Sequence, residues 1–165
     1  IRRVREMVRE QPSVRAAIIL PDVIDDALSL LAAAGACPKG DVSLDLDPDA
    51  ERAWADPVQV QQVLVNLLRN ACEAAPHDHP EIMVRTRSRD GSIIFSIIDN
   101  GPGFSRPEHE IFSPFASQKP QGMGLGLSIS RTIVEYHGGR IWVEKTGPDG
   151  TVVCFTLPKP PGVSE

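Results

Sequence analysis

Apolar and polar positions recur along this chain in two rhythms, and together they lay out its elements. A helical period opens it, with Ile1, Val4 and Val8 on one side of "IRRVREMVREQ" and arginines elsewhere. "RAAIIL" (15–20) reads as a short strand. Pro21 then starts a second helical run, "PDVIDDALSLLAAAG", acidic early at Asp22, Asp25 and Asp26 and stopped by Gly35. "VSLDLD" (42–47) alternates, and "ERAWA" (51–55) suggests a neighbouring short strand. Asp56 is placed to cap, and Pro57 to begin, the longest helix, "PVQVQQVLVNLLRNACEAA".

The second half turns to strands. "IMVRTRS" (82–88) and "SIIFSIID" (92–99) flank Arg89-Asp90-Gly91 as a hairpin. From Gly101 to Gly122 periodicity fades among Pro102, Pro107, Pro114 and Pro120, which suits a functional loop. A helix from about Leu125 to His137 stops at Gly138-Gly139. "RIWVEK" and "TVVCFTLP" form a closing hairpin through residues 146–150, and Pro158 ends the fold. No internal repeat is visible. Irregular alternation with adjacent hairpins predicts an α+β, two-layer sandwich: a mixed, mostly antiparallel sheet with helices on one face.

Composition narrows the partners. The 165 residues fit one domain, and a net charge of −5 gives no footprint for nucleic acid. No apolar run approaches the roughly 18–20 residues of a membrane span, and no signal peptide is seen. Cys37, Cys72 and Cys154 lack any C-x-x-C pairing and read as free thiols, as in a reducing cytoplasm. The start inside a helical pattern, without Met, implies a fragment with its upstream part missing.

Three stretches carry candidate chemistry. On the long helix, Gln59, Gln62, Asn66, Asn70 and Glu73 fall within a stripe roughly 80° wide beside the apolar face. A solvated face is one reading. Yet such faces favour Lys and Glu over Asn, and Asn carbonyls are hard oxygen ligands suited to Mg²⁺. In "IIDNGPGF", Asp99 follows the apolar row Ile93, Phe95 and Ile97. It is either a strand end before an Asn-Gly turn or a carboxylate acceptor for the exocyclic amine of adenine. "QGMGLGLSIS" sets Gly122, Gly124 and Gly126 at every second position, matching neither the dinucleotide fingerprint nor a P-loop. It is a flexible linker or a backbone shaped to approach phosphate.

In order, these stretches resemble a known set of boxes. "QVQQVLVNLLRNACEAA" is similar to the N box, "DNGPGF" to the G1 box, "IFSPF" to the F box and "GMGLGLSIS" to the G2 box, while "GTVVCFTLP" resembles the family's closing strand. The family is the catalytic ATP-binding domain of bacterial sensor histidine kinases, which shares the Bergerat-type fold of the gyrase, Hsp90 and MutL ATPases. "IRRVREMV", "QQVLVNLLRNACEA" and "LSISRTIVEYHGGRIW" look like the FixL-type, PAS-coupled kinases in particular. The resemblance implies Asn70 as Mg²⁺ ligand, Asn66 as its phosphate-side neighbour and Asp99 as the adenine acceptor. Gly101 and Gly103 would shape the base pocket. Gly122, Met123, Gly124, Leu125, Gly126 and Leu127 would line the triphosphate, with Thr151 beside the nucleotide. Phe112 and Phe115 would anchor a mobile ATP lid carrying Lys119, although "ASQ" before that lysine departs from the family pattern. Gly124 and Gly126 should then tolerate no side chain without loss of nucleotide affinity. No role follows for Glu73, and Arg69 lies off the stripe.

Asn66 bears on the reaction. The related ATPases resemble one another in a Glu one turn before the metal Asn, and Asn cannot act as that base. Phosphoryl transfer to an outside histidine, with Asn66 and Asn70 in the catalytic set, is therefore expected over hydrolysis. "HEIFSPF" (109–115) matches an acceptor-histidine motif by accident, since it follows a glycine-rich loop and overlaps the F box. His77 and His79 decorate a loop, and His137 at a helix end suits a cation. Residues 1–12 are expected to be the end of a dimerisation helix and linker, 13–158 the catalytic domain and 159–165 a tail. Expected partners are the kinase's own dimerisation domain and a response regulator in the cytoplasm, with ATP and Mg²⁺ as cofactors. A degenerate nucleotide-binding module and a gyrase/Hsp90-type ATPase are the alternatives.

Overall fold

The computed structural model describes residues 14–114 and 126–162. Along the chain, β1 (Ala16–Ile19) leads into α1 (Leu20–Ala33), then β2 (Val42–Leu46) and β3 (Arg52–Ala55). The long helix α2 (Pro57–Ala74) follows, then β4 (Ile82–Arg89) and β5 (Ser92–Asp99). A single turn, α3 (Glu108–Ile111), precedes α4 (Gly126–Tyr136), β6 (Ile141–Gly147) and β7 (Gly150–Pro158).

Five strands form the main sheet in the order β2-β4-β5-β7-β6. β2 joins β4 in parallel, and the other pairs are antiparallel. Alternation decides which face is covered. Ile93, Phe95 and Ile97 of β5 lie opposite Leu157, Phe155 and Val153 of β7. All six are buried, and the Phe95 and Phe155 rings stack at 4.4 Å. Against this face pack Ile24, Leu28 and Leu31 of α1, Val60, Val63, Leu64, Leu67 and Leu68 of α2, and Ile133 and Val134 of α4. The α+β sandwich expected from the pattern is the one found, with helices on one face of a mostly antiparallel sheet.

Local chemistry explains the boundaries. Asp56 caps α2, its Oδ1 accepting the Val58 and Gln59 N–H groups at 2.9 and 3.4 Å, and Pro57 occupies the first position. Asp90 and Gly91 make the β4–β5 turn with φ of 49° and 76°, as a two-residue turn of the primed type requires. The expected five-residue closing loop is tighter, with β6 and β7 pairing up to Gly147 and Gly150.

Two expectations are corrected. β3 does not neighbour β2: it pairs antiparallel with β1 in a separate two-stranded sheet. Cys37 and Cys72 are not free thiols. They form a disulfide with Cα atoms 5.8 Å apart, tying the turn after α1 to the last residues of α2. Only Cys154 is free among the described residues, buried between Ser96 and Glu144. The expected opening helix, 1–12, lies outside the described residues.

Candidate functional site

The amide stripe of α2 meets the start of α4. Asn66 Nδ2 donates to the Gly126 carbonyl at 3.3 Å and reaches Ser130 Oγ at 3.5 Å. Ser130 Oγ donates to the same carbonyl at 2.8 Å and is fully buried. Asn66 is thereby fixed against the first turn of α4, whose N–H groups carry the positive end of the helix dipole. Asn70, one turn on, is partly exposed, and its amide has no hydrogen-bond partner among the described residues. The stripe is not uniform. Gln59 is buried at 2% exposure and Gln62 is exposed, so only its later part faces the site.

Asp99 stands at the end of β5 on the helix-covered face. Its Oδ1 accepts the Gly101 N–H at 2.8 Å, and it lies opposite Thr151 of β7. Burial pushes its carboxyl above the usual carboxylate range, opposed by backbone hydrogen bonds from Gly101 and Thr151. The nearby glycines answer to the protein itself. A Cβ on Gly101 would lie 2.7 Å from the Ala74 carbonyl oxygen, and one on Gly103, at φ +86°, 2.6 Å from that of Gly147. They let the loop after β5 seat between the end of α2 and the β6–β7 turn. Gly126 differs: an added Cβ would meet Asn66 only at 3.9 Å, an ordinary contact. The protein therefore makes no steric demand for glycine there.

Sequence reasoning missed two supports. Thr146 Oγ1 accepts the Phe104 N–H at 2.8 Å and pairs with Thr151 Oγ1 at 3.1 Å, joining the loop to β7. Asn100 accepts the Glu81 N–H and donates to the His79 carbonyl, both at 2.9 Å. Asn100 was legible only as a turn residue, and nothing local marks Thr146.

Phe112 is buried at the end of α3. Leu127 lies in the first turn of α4, packed against the core. His109 is exposed on the one-turn α3. Phe115, Lys119, Gly122, Met123, Gly124 and Leu125 lie outside the described residues. His137 departs from expectation. It is 2% exposed, and burial holds its imidazole below the usual range, so it is a neutral core residue and not a helix-end cation.

Asn66 thus meets the start of α4, while the loop after Asp99 seats on the end of the same helix α2. The family model for histidine kinase-, DNA gyrase B- and HSP90-like ATPases matches residues 55–161, and the chain belongs to that family, an ATP-binding one. It is 41% identical to the sensor protein FixL of Bradyrhizobium diazoefficiens, over 96% of this chain and 32% of that protein. It is 40% identical to the C4-dicarboxylate transport sensor protein DctB of Rhizobium meliloti, over 85% of this chain and 23% of that one. The chain thus spans about a third or less of these relatives. Among solved structures, the catalytic domain of histidine kinase ThkA superposes with a TM-score of 0.73 at 32% identity, over 88% of this chain and 96% of that one. ThkA is also solved in complex with the response regulator protein TrrA, and that kinase matches 98% of this chain at 29% identity with a TM-score of 0.73. No helix among the described residues is long and apolar enough to cross a membrane.

Proposed function

We propose that this chain binds Mg-ATP and donates the γ-phosphoryl group to a histidine on a separate dimerisation domain of its own kinase. The observation that carries the reading is Asn66. It is an amide, one turn before Asn70, hydrogen-bonded into the first turn of α4. A carboxylate there could activate water. An amide cannot, and serves instead to position. Asp99 would accept the adenine amine, with Gly101, Gly103 and Thr151 around the base. Asn66 and the first turn of α4 would meet the phosphates, together with the glycines of 122–126 and Lys119, and Phe112 and Phe115 would anchor a lid.

The donor set suits magnesium. Among the described residues no three His, Cys, Asp or Glu side chains gather as a metal cluster, while Asn70 offers an unpartnered amide oxygen. Mg²⁺ takes few ligands from protein and completes its octahedron with water and phosphate oxygens. When bound, it would neutralise charge on the transferred group. In this reading, residues 13–158 are the catalytic domain and 1–12 the end of the dimerisation helix. A response regulator takes the phosphoryl group next, as the ThkA–TrrA pairing suggests, with the site in the cytoplasm.

The test supplies the upstream dimerisation domain in trans with ATP labelled on the γ-phosphate. Acid-labile label on that domain is the expected result, and Asn70→Ala should abolish it. Steady phosphate release by this chain alone would indicate a gyrase-type ATPase. Bound ATP without transfer would indicate a degenerate binding module.

A further inference from the structure

The first turn of α2 leaves a local motif unfinished. Asp56-x-x-Gln59 has the spacing of a capping box, in which the Gln side chain accepts the N–H of the capping residue. Here that N–H goes elsewhere. Asp56 N donates to His137 Nε2 at 3.1 Å, and Gln59 Oε1 is left buried with no partner. Since Nε2 accepts, the ring proton is on Nδ1, which donates to the Ile133 carbonyl at 2.8 Å. Both ring nitrogens are engaged. The acceptor that would close the first turn of α2 has been supplied by the end of α4.

This bond has a counterpart at the other end of the helix pair, where Asn66 joins Gly126 and Ser130. Asp56 and Asn66 are ten residues apart on α2, and Gly126 and His137 eleven apart on α4. At 1.5 Å per residue both spans are about 15–17 Å. Two antiparallel helices are therefore cross-bonded at two matched levels, which fixes how far one can slide along the other. We propose that His137 is a positioning residue of the nucleotide site: its neutral ring bonds the start of α2 to the end of α4 and so aligns Asn66 with the first turn of α4. The functional part of this assignment rests on the nucleotide-binding reading above.

Protonation would undo the bond, because Nε2–H and the Asp56 N–H would be two opposed donors. The charged groups around the ring are few. The Asp56 carboxylate favours the cation, while its Oδ2 also accepts the Val14 N–H at 3.1 Å. Arg15, whose guanidinium donates to the Tyr136 carbonyl and lies 5.2 Å from that ring's centre, disfavours it. The Tyr136 ring meets His137 edge-on at 6.2 Å. Burial outweighs the Asp56 attraction and keeps the ring neutral.

The experiment compares His137→Leu and His137→Gln with the parent chain. In His137→Leu, Gln59 can close its own capping box, so the helix stays capped and only the bond between helices is lost. Gln can place an acceptor near the old Nε2. At pH 8, Mg-ADP affinity should fall about 3–10-fold in His137→Leu, the range of one lost hydrogen bond, and stay near the parent's in His137→Gln. Parent-like affinity in folded His137→Leu would overturn the proposal. If His137→Leu does not fold, the ring tautomer in the parent chain decides the matter. Imidazole ¹⁵N shifts should report the Nδ1–H tautomer, and amide shifts of Asn66 and Gly126 should move in nucleotide-free His137→Leu. An Nε2–H tautomer or unmoved amides would overturn the alignment role. A parent chain that binds no nucleotide would sink the functional reading, and these nucleotide-free shifts would still decide the alignment.

Discussion

Asp99 is partly buried at the end of β5, where its surroundings disfavour the charged form. Its carboxyl is raised above the ordinary value by burial, so the folded chain holds a proton there more readily than the unfolded one. Such a group contributes stability below its unfolded value, and that contribution is lost as pH rises through the folded one. At pH 7 the carboxylate therefore works against the fold. Asp99→Asn should raise the melting temperature of the nucleotide-free chain at pH 7 while weakening ATP about 10–100-fold through a lost charge-assisted hydrogen bond. A lower melting temperature would show that burial is not the dominant influence on this group. Glycines divide in a similar test. Gly101→Ala drives a Cβ into the Ala74 carbonyl and should cost about 1–3 kcal/mol in urea unfolding. Gly126→Ala makes only an ordinary contact with Asn66 and should be neutral or stabilising by up to about 1 kcal/mol. If Gly126→Ala nevertheless weakens nucleotide, the demand for glycine comes from the ligand alone.

Among the elements, those set by neighbouring residues were the legible ones. Asp56-Pro57 announced α2, and Asp90-Gly91 the β4–β5 hairpin, because each signal lies within a few residues of the structure it makes. The amide stripe was legible only in part, since period alone could not tell buried Gln59 from partly exposed Asn70. Pairings across the chain left no such mark. β3 lies 36 residues beyond the start of its partner β1, and nothing local chooses β1 over β2. His137 misled for the same reason: a helix end favours a cation, but the buried Asp56 N–H, 81 residues away in sequence, requires a neutral acceptor. Cys37 and Cys72 are brought together by the packing of α1 on α2, 35 residues apart in sequence. Closing a loop of that length is worth about 3–4 kcal/mol in the chain-entropy picture, less any native strain. A reductant should therefore shift urea unfolding to lower concentration in the parent chain and leave Cys37→Ala unmoved. An unshifted parent midpoint would mean the bridge does not restrain the unfolded chain.

At the scale of the whole molecule, the fold draws the proposed site residues from distant stretches. Asp99 ends β5, Thr151 lies opposite it near the start of β7, and Asn66 lies on α2. The strand order places β7, the last strand among the described residues, between β5 and β6. On a ribosome this has a temporal meaning. While the chain emerges, β2, β4 and β5 can pair, yet β5 keeps one side open until residues 150–158 are out. Asp99 sits at the end of that open side, so the nascent chain carries most of the proposed site residues before it can hold them in place. An unpaired, apolar β5 is also a template for wrong partners during that interval. On the proposed reading, synthesis withholds nucleotide recognition until β7 has emerged.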